Sequence, residues 1–215
     1  MFENRSEAGI LLAEKLEQYK NTPAVLQAVP RGGVPVAFEI ANALNLPMEV
    51  VLVKKLGHPF NKEYAIGAVG LKDSYLVPHE DVSDNYILKE TENLRARLEE
   101  MKMDFMGGKE PLDINGKNVI VVDDGIATGN TIIATIRILR KSNPSKIIIA
   151  APVISESAAM KISDEADELV VLLIPDYFYG VGGFYNDFRQ VSDEEVMDYL
   201  KRLNHHNKQQ ATISQ

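Results

Sequence analysis

The chain contains no cysteine, no long apolar run and no excess of positive charge. Without cysteine there is no disulfide framework, iron–sulfur cluster, thiolate zinc site or cysteine nucleophile. The longest apolar stretches, such as IIIAAPVI at 147–154, are far too short to cross a bilayer. The N-terminal MFENRSEAGILLAEKLEQYK mixes acids and bases and lacks an uninterrupted apolar h-region. A formal net charge of −8 argues against the basic field that non-specific nucleic-acid binding needs. These absences predict a soluble, cytoplasmic protein.

What is present fits one α/β domain: 215 residues, 45% hydrophobic and 25% charged, with no internal repeat and no interdomain linker. Helical spacing is expected over 6–20 with Ser6 as cap, and over VPVAFEIANALNL with Pro35 in the first turn. Further helices are expected from Ser83 to about Phe105, over 131–141, over ISESAAMKISDEA and over 192–203. In the last, Ser192 and Glu195 match a capping box. Short apolar strands are read at VLQAVP, MEVVLVKK (48–55), VIVV, KIIIAAPV (146–153) and LVVLLIP (169–175). LGHPFNKEYAIG reads as a long polar loop, and AIGAVG with SYLVP as a hairpin or two edge strands. All-apolar strands alternating with helices predict a Rossmann-like parallel sheet flanked by helices on both faces. The domain is read as 1–203, followed by a polar, flexible tail at 204–215 where His205 and His206 are solvated rather than metal ligands.

Ligands in such sheets bind at the carboxyl ends of strands, and two motifs fall there: VPRGG and VIVVDDGIATGNT (119–131). In the second, small residues lead from a strand into a helix N-terminus, where free N–H groups favour an anion. Asp123 and Asp124 would repel that anion at close range, but they suit a sugar diol or a hydrated Mg2+. A sugar phosphate offers both ends. The plainer alternative is an Asx turn with aspartate as local cap. A Walker loop is excluded, since Gly125 to Gly129 is one residue short and lacks the lysine. YGVGGF lacks the third glycine of a dinucleotide fingerprint. A dehalogenase-like phosphatase needs aspartates at alternate positions, and the residue two after Asp123 is Gly125.

VIVVDDGIATGNT resembles the 5-phosphoribosyl-1-pyrophosphate (PRPP) binding motif of the type I phosphoribosyltransferases, and VPRGG resembles their pyrophosphate loop. VKKLGHPFNKEYAIGAVG and DYFYGVGGFYNDFRQVSDEEV resemble a less characterised bacterial branch of that family. The resemblance implies the type I phosphoribosyltransferase fold with a small hood at about 175–191. It also implies Mg2+-dependent transfer of the 5-phosphoribosyl group from PRPP to a nitrogenous base, with release of pyrophosphate. Asp123 and Asp124 would bind the ribose hydroxyls, with Mg2+ held indirectly. Ala127, Thr128, Gly129, Asn130 and Thr131 would hold the 5-phosphate. Arg31, Gly32 and Gly33 would receive the pyrophosphate, across a non-proline cis peptide at Pro30–Arg31. Lys54 and Lys55 begin a candidate lid, from which Lys55 reaches the pyrophosphate.

Six aromatics crowd Tyr177 to Phe188, and a base could stack there, with Phe178 and Tyr185 as the expected faces. A purine suits so aromatic a hood. Two departures stand out. Gly125 lies where many purine enzymes of the family carry an aliphatic residue, and Phe105-Met106 replaces a Tyr-Arg pair. Family members are commonly homodimers. The rival reading is a non-catalytic sensor of PRPP or a nucleotide on the same fold; an attached DNA-binding motif would favour it, and the chain has no room for one.

Overall fold

Strands without polar alternation need cover on both faces. In the computed structural model, which describes residues 1–79 and 81–213 and their side chains except at 63 and 204–213, they form a five-stranded parallel sheet. Its spatial order is β2 (Met48–Val50), β1 (Val25–Ala28), β6 (Asn118–Val122), β7 (Lys146–Val153), β8 (Glu168–Leu173). Alternate residues of the same strands feed two separate cores. Leu26, Ile120 and Ile148 pack with Leu12, Ile40, Leu98 and Val196 from α1 (Arg5–Lys15), α2 (Gly33–Leu44), α3 (Asp84–Met106) and α6 (Asp193–Ile213). Val25, Val119, Val121 and Ile149 pack on the other face with Ile132, Ile136 and Ile162 from α4 (Asn130–Leu139) and α5 (Glu156–Ser163). Each fully buried Leu or Ile contributes about 1.5–3 kcal/mol, so the two-faced sheet is the main support of the fold.

From β1 the chain goes outward to β2, then returns to the other side of β1 as β6. The carboxyl ends of β1 and β6 are therefore a topological switch point, where open α/β sheets form a crevice. Val29 N–H donates to Val122 O at 2.8 Å and keeps the two ends in register as the chains leave the sheet.

Several local readings need correction. MEVVLVKK is two strands: β2 ends at Val50, and β3 (Val53–His58) turns away into a separate antiparallel sheet with β4 (Asn61–Gly70) and β5 (Ser74–Leu76). LGHPFNKEYAIG is thus a hairpin turning at Pro59-Phe60, not a long loop. Its charged residues hid a strand pairing that depends on β4 lying alongside. Helix α1 is capped by Asn4, whose side chain accepts from Glu7 N–H, and it gives way after Lys15 to a short 3-10 turn at Glu17–Tyr19. The last helix carries the expected box, with Ser192 N–H donating to Glu195 Oε2 at 2.9 Å and Glu195 N–H to Ser192 Oγ at 3.2 Å. It runs on to Ile213, past the boundary read at 203; the side chains of His205 and His206, and residues 214–215, lie outside the described residues. Phe105 and Met106 pack as partly buried residues against the core at the end of α3. Among the described residues no helix is long and apolar enough to cross a membrane.

Candidate active site

The strand β6 delivers Asp123 and Asp124 to the switch point. Asp123 N–H still belongs to the sheet, donating to Ala150 O at 3.2 Å, while its Oδ1 accepts from Asp124 N–H at 2.9 Å. This bond to the next residue is not the two-residue reach of an Asx turn, and α4 is capped by Gly129 without a side-chain bond. Burial, and next the charge of Asp124, push the Asp123 carboxyl well above its usual range. Burial raises Asp124 as well, opposed by its hydrogen bond and attraction to Arg5. Two carboxylates held this way are poorly solvated acceptors waiting for donors.

The PRGG loop at the end of β1 meets this pair at close range. The Pro30–Arg31 peptide is cis. A Cβ built on Gly32 falls 1.9 Å from Asp124 Oδ2, and one on Gly33 falls 2.5 Å from Val122 O. No side chain fits at either position. The glycines therefore do more than expose N–H groups: they let the loop rest on the diacid.

Beyond Asp124 the chain passes through Gly125, Ile126, Ala127 and Thr128 to Gly129, which caps α4 in the left-handed region at φ 76°. The ladder of α4 begins with Ile133 N–H donating to Gly129 O at 2.9 Å, so earlier N–H groups of the first turn have no place in it. Ala127, Thr128 and Thr131 are exposed there. Ser155, the cap of α5, holds the turn from below through its Oγ to Ala127 O at 2.6 Å and its N–H to Ile126 O at 3.0 Å. The arrangement is an open helix N-terminus beside a diacid.

The hood crosses the diacid from the other side. A Cβ on Gly125 would lie 2.3 Å from Val181 Cγ1, so the valine of a short 3-10 turn (Val181–Phe184) fills the space an aliphatic residue would take. This gives the glycine departure a physical reason. Phe178 packs on Phe184 with ring centroids 5.6 Å apart. Tyr185, expected as a stacking face, is 5% exposed, with Phe188 stacked on it at 5.1 Å and Phe2 at 5.4 Å. Its hydroxyl donates to Asp124 O at 2.6 Å, so its ring and its polar tip are already engaged. Tyr177 and Tyr179 are instead open, stacked on each other at 6.5 Å.

Of the two lysines on β3, Lys54 shares an electrostatic neighbourhood with Arg31. Burial, then the charges of Arg97 and Arg31, hold its ammonium below the usual lysine range. Consecutive residues of a strand face opposite ways, which puts Lys55 on the other side of β3. Arg31 itself is partly exposed and lies 3.7 Å from Asp193. Sequence reasoning missed Arg97 and Arg5. Arg5 Nε donates to Asp124 Oδ2 at 2.7 Å across 119 residues of chain. The one sequence signal was a cation at the first position of a helix, where the dipole disfavours it. His58 is buried beside Asp81 at 3.1 Å in the hairpin sheet.

The crevice at this switch point thus brings together glycines resting on a diacid and the N-terminus of α4. The phosphoribosyl transferase domain family matches residues 5–189. A Mycobacterium tuberculosis (strain H37Rv) protein, provisionally named a phosphoribosyl transferase, is 37% identical over 212 residues, covering 94% of this chain and 47% of its own. The crystal structure of TT1426 from Thermus thermophilus superposes with a TM-score of 0.85 at 36% identity, covering 93% of this chain and 97% of that one. A ribose-phosphate pyrophosphokinase of Pyrococcus furiosus is 45% identical over 62 residues, 28% of this chain and 22% of its own. The chain belongs to the phosphoribosyl transferase domain family. It spans about half the length of the curated relatives it matches over most of its own length.

Proposed function

We propose that the protein transfers the 5-phosphoribosyl group of PRPP to a nitrogenous base, most simply a purine, and releases pyrophosphate. The observation that carries this reading is the close approach of Gly32 to Asp124, which joins an anion loop and a diol site in one crevice. In this reading Ala127 to Thr131 hold the 5-phosphate, Asp123 and Asp124 accept from the ribose hydroxyls, and Gly32 and Gly33 receive the pyrophosphate with Arg31. Lys54 and Arg97 join Arg31 there, since three cations whose charges repel one another suit a polyanion. Lys55, on the other face of β3, is left for a hairpin that closes from above.

The chemistry follows from positions. The bond from the ribose anomeric carbon to pyrophosphate breaks, and its electron pair leaves with the pyrophosphate. A ring nitrogen of the base forms the new bond from the opposite face with its lone pair and gives up its proton to solvent or pyrophosphate. The sugar passes through oxocarbenium character, which the aspartates tolerate and the arginines do not oppose from the leaving side. No nucleophilic side chain is needed. Among the described residues no three acidic or histidine groups converge on a metal. Two carboxylates, one already bonded to Arg5, fit Mg2+ only with substrate oxygens and water completing its shell, as that ion commonly accepts. Bound so, Mg2+ would neutralise the departing pyrophosphate. Tyr177 and Tyr179, the open rings of the hood, have the exposed faces a base needs, which Tyr185 lacks.

The test is pyrophosphate release from PRPP and Mg2+ across a panel of purine and pyrimidine bases. Base-dependent release, lost in the Asp123→Asn/Asp124→Asn double variant, is the expected result. PRPP binding without release for any base would turn the reading toward a sensor, and no PRPP binding would remove it.

A further inference from the structure

Arg5 is a closely held cation that the chemistry above does not use. Its side chain is 10% exposed, and its guanidinium meets three groups at once. Nε donates to Asp124 Oδ2 at 2.7 Å, Nη1 donates to Arg189 O at 2.8 Å, and Cζ lies 3.9 Å over the ring of Phe188. These groups belong to the diacid and to the far end of the hood. The residues before Arg5 follow the same course. Phe2 N–H donates to Phe184 O at 2.8 Å, Asn186 N–H to Phe2 O at 2.9 Å and Asp187 N–H to Glu3 O at 2.9 Å. The N-terminal segment is thus laced to the hood, and Arg5 is where that lacing reaches the site.

The position is costly in itself. Arg5 opens α1, where a cation faces the positive end of the helix dipole. It withdraws from water to meet Asp124 Oδ2, the same oxygen that lies 1.9 Å from a Cβ built on Gly32. With that oxygen crowded by the glycine loop and bonded to the guanidinium, the carboxylate has little freedom to turn. Arg5 takes one of its oxygens and leaves the second for another donor.

We propose that Arg5 is a positioning residue for the ribose subsite: it orients Asp124 toward a sugar hydroxyl and latches the hood across the diacid through Phe188 and Arg189. The proposal rests on the reading of Asp123 and Asp124 as the diol site. It assigns recognition of the ribose, and not of the pyrophosphate, to the N-terminal segment. The guanidinium is needed for its geometry as well as its charge, because its planar face stacks on Phe188 while its edge bonds on two sides. Lysine at position 5 can supply only a point charge.

The experiment is equilibrium binding to the full chain, with Mg2+ present and no base, of three probes: PRPP, ribose 5-phosphate and inorganic pyrophosphate. Arg5→Gln and Arg5→Lys are compared with the unchanged protein well below their melting temperatures. Arg5→Gln is expected to weaken PRPP and ribose 5-phosphate by about tenfold, the scale of one charge-assisted hydrogen bond. Arg5→Lys should recover part of that loss, and pyrophosphate should bind all three alike. In Arg5→Ala, free guanidinium at a non-denaturing concentration should restore ribose 5-phosphate binding, which a loss of packing alone would not permit. Hydrogen exchange across 178–189 should quicken in Arg5→Gln. Ribose 5-phosphate binding unchanged in Arg5→Gln would overturn the proposal, as would tighter binding, which would make the contact a plug. An equal loss of pyrophosphate affinity would also overturn it, since the effect would then be general. If the unchanged protein binds neither PRPP nor ribose 5-phosphate, it is the functional reading that has failed, and the assignment of Arg5 to a ribose falls with it.

Discussion

The turn after β6 and the hood above it are held in different ways. The turn, 123–131, hangs between a central strand and a helix, and its bonds go to the neighbouring strand and its next helix: Asp123 N–H to Ala150 O, Ile126 N–H to Val153 O, Ser155 N–H to Ile126 O. The hood, around 177–189, contains only one short 3-10 turn. It is held by a satellite cluster of Phe2, Ala8, Val153 and Tyr185 and by polar contacts to the opposite end of the chain. A site that must accept an anion in one place gains from the first kind of support, because its N–H groups are fixed before the ligand arrives. A cover that must admit a second substrate gains from the second, since segments that open are drawn from the less stable parts of a fold.

The comparison can be broken hardest at the fixed end. Gly32→Ala places a methyl against Asp124 Oδ2, where the built Cβ distance is 1.9 Å. A displacement of this size at a positioned site costs about 100-fold. PRPP binding should fall by that order. Gly125→Val tests the seam between the two regions. Its side chain would collide with Val181, so urea denaturation should show a loss of about 1–3 kcal/mol, partly restored by adding Val181→Ala.

Asp123→Asn separates binding from stability. The raised Asp123 carboxyl means that the folded chain binds a proton the unfolded chain has already released. Its contribution to stability therefore declines as pH rises from the ordinary carboxylate range through the raised value. The variant keeps an oxygen for Asp124 N–H and removes the repulsion. Its melting temperature at pH 8 should exceed that of the unchanged protein by about 2–4 °C, the shift for roughly 1 kcal/mol in a chain this long, with the gap closing as pH is lowered. Tyr185→Phe is the gentlest cut, removing one hydrogen bond from hood to turn. About 1 kcal/mol should be lost, read as faster exchange in 178–189, with pyrophosphate binding untouched. Loss of pyrophosphate binding in that variant would show that the hood and the anion end are one unit.

Much of this could be read along the chain. The sheet's strands are continuous apolar runs, and the predicted KIIIAAPV coincides with β7 at both ends. Ser192 caps the helix it was expected to cap, whereas Asn4 takes the place expected of Ser6. The two motifs lie on strand ends because small and polar residues interrupt an apolar run abruptly, which is a local signal. The hairpin at 53–76 was only half legible, since Lys54, Lys55, Lys62 and Glu63 are what an exposed loop would also carry. Tyr185 was misjudged for the opposite reason. An aromatic in a polar segment reads as available, and only the packing of Phe2 and Phe188 on its ring makes it a support.

By itself the sequence determined the apolar strands of the parallel sheet, most of the helices, the capping box at Ser192, the two glycine-bearing turns and the pairing of carboxylates at 123 and 124. These depend on residues a few positions apart. The tertiary structure alone decided that Gly32 rests on Asp124, that Lys54 shares the field of Arg31, and that Arg5 reaches the diacid. Those facts depend on which strands become neighbours and how closely they pass. A contact across 119 residues leaves no period in the chain, only a cation where a helix would rather not have one.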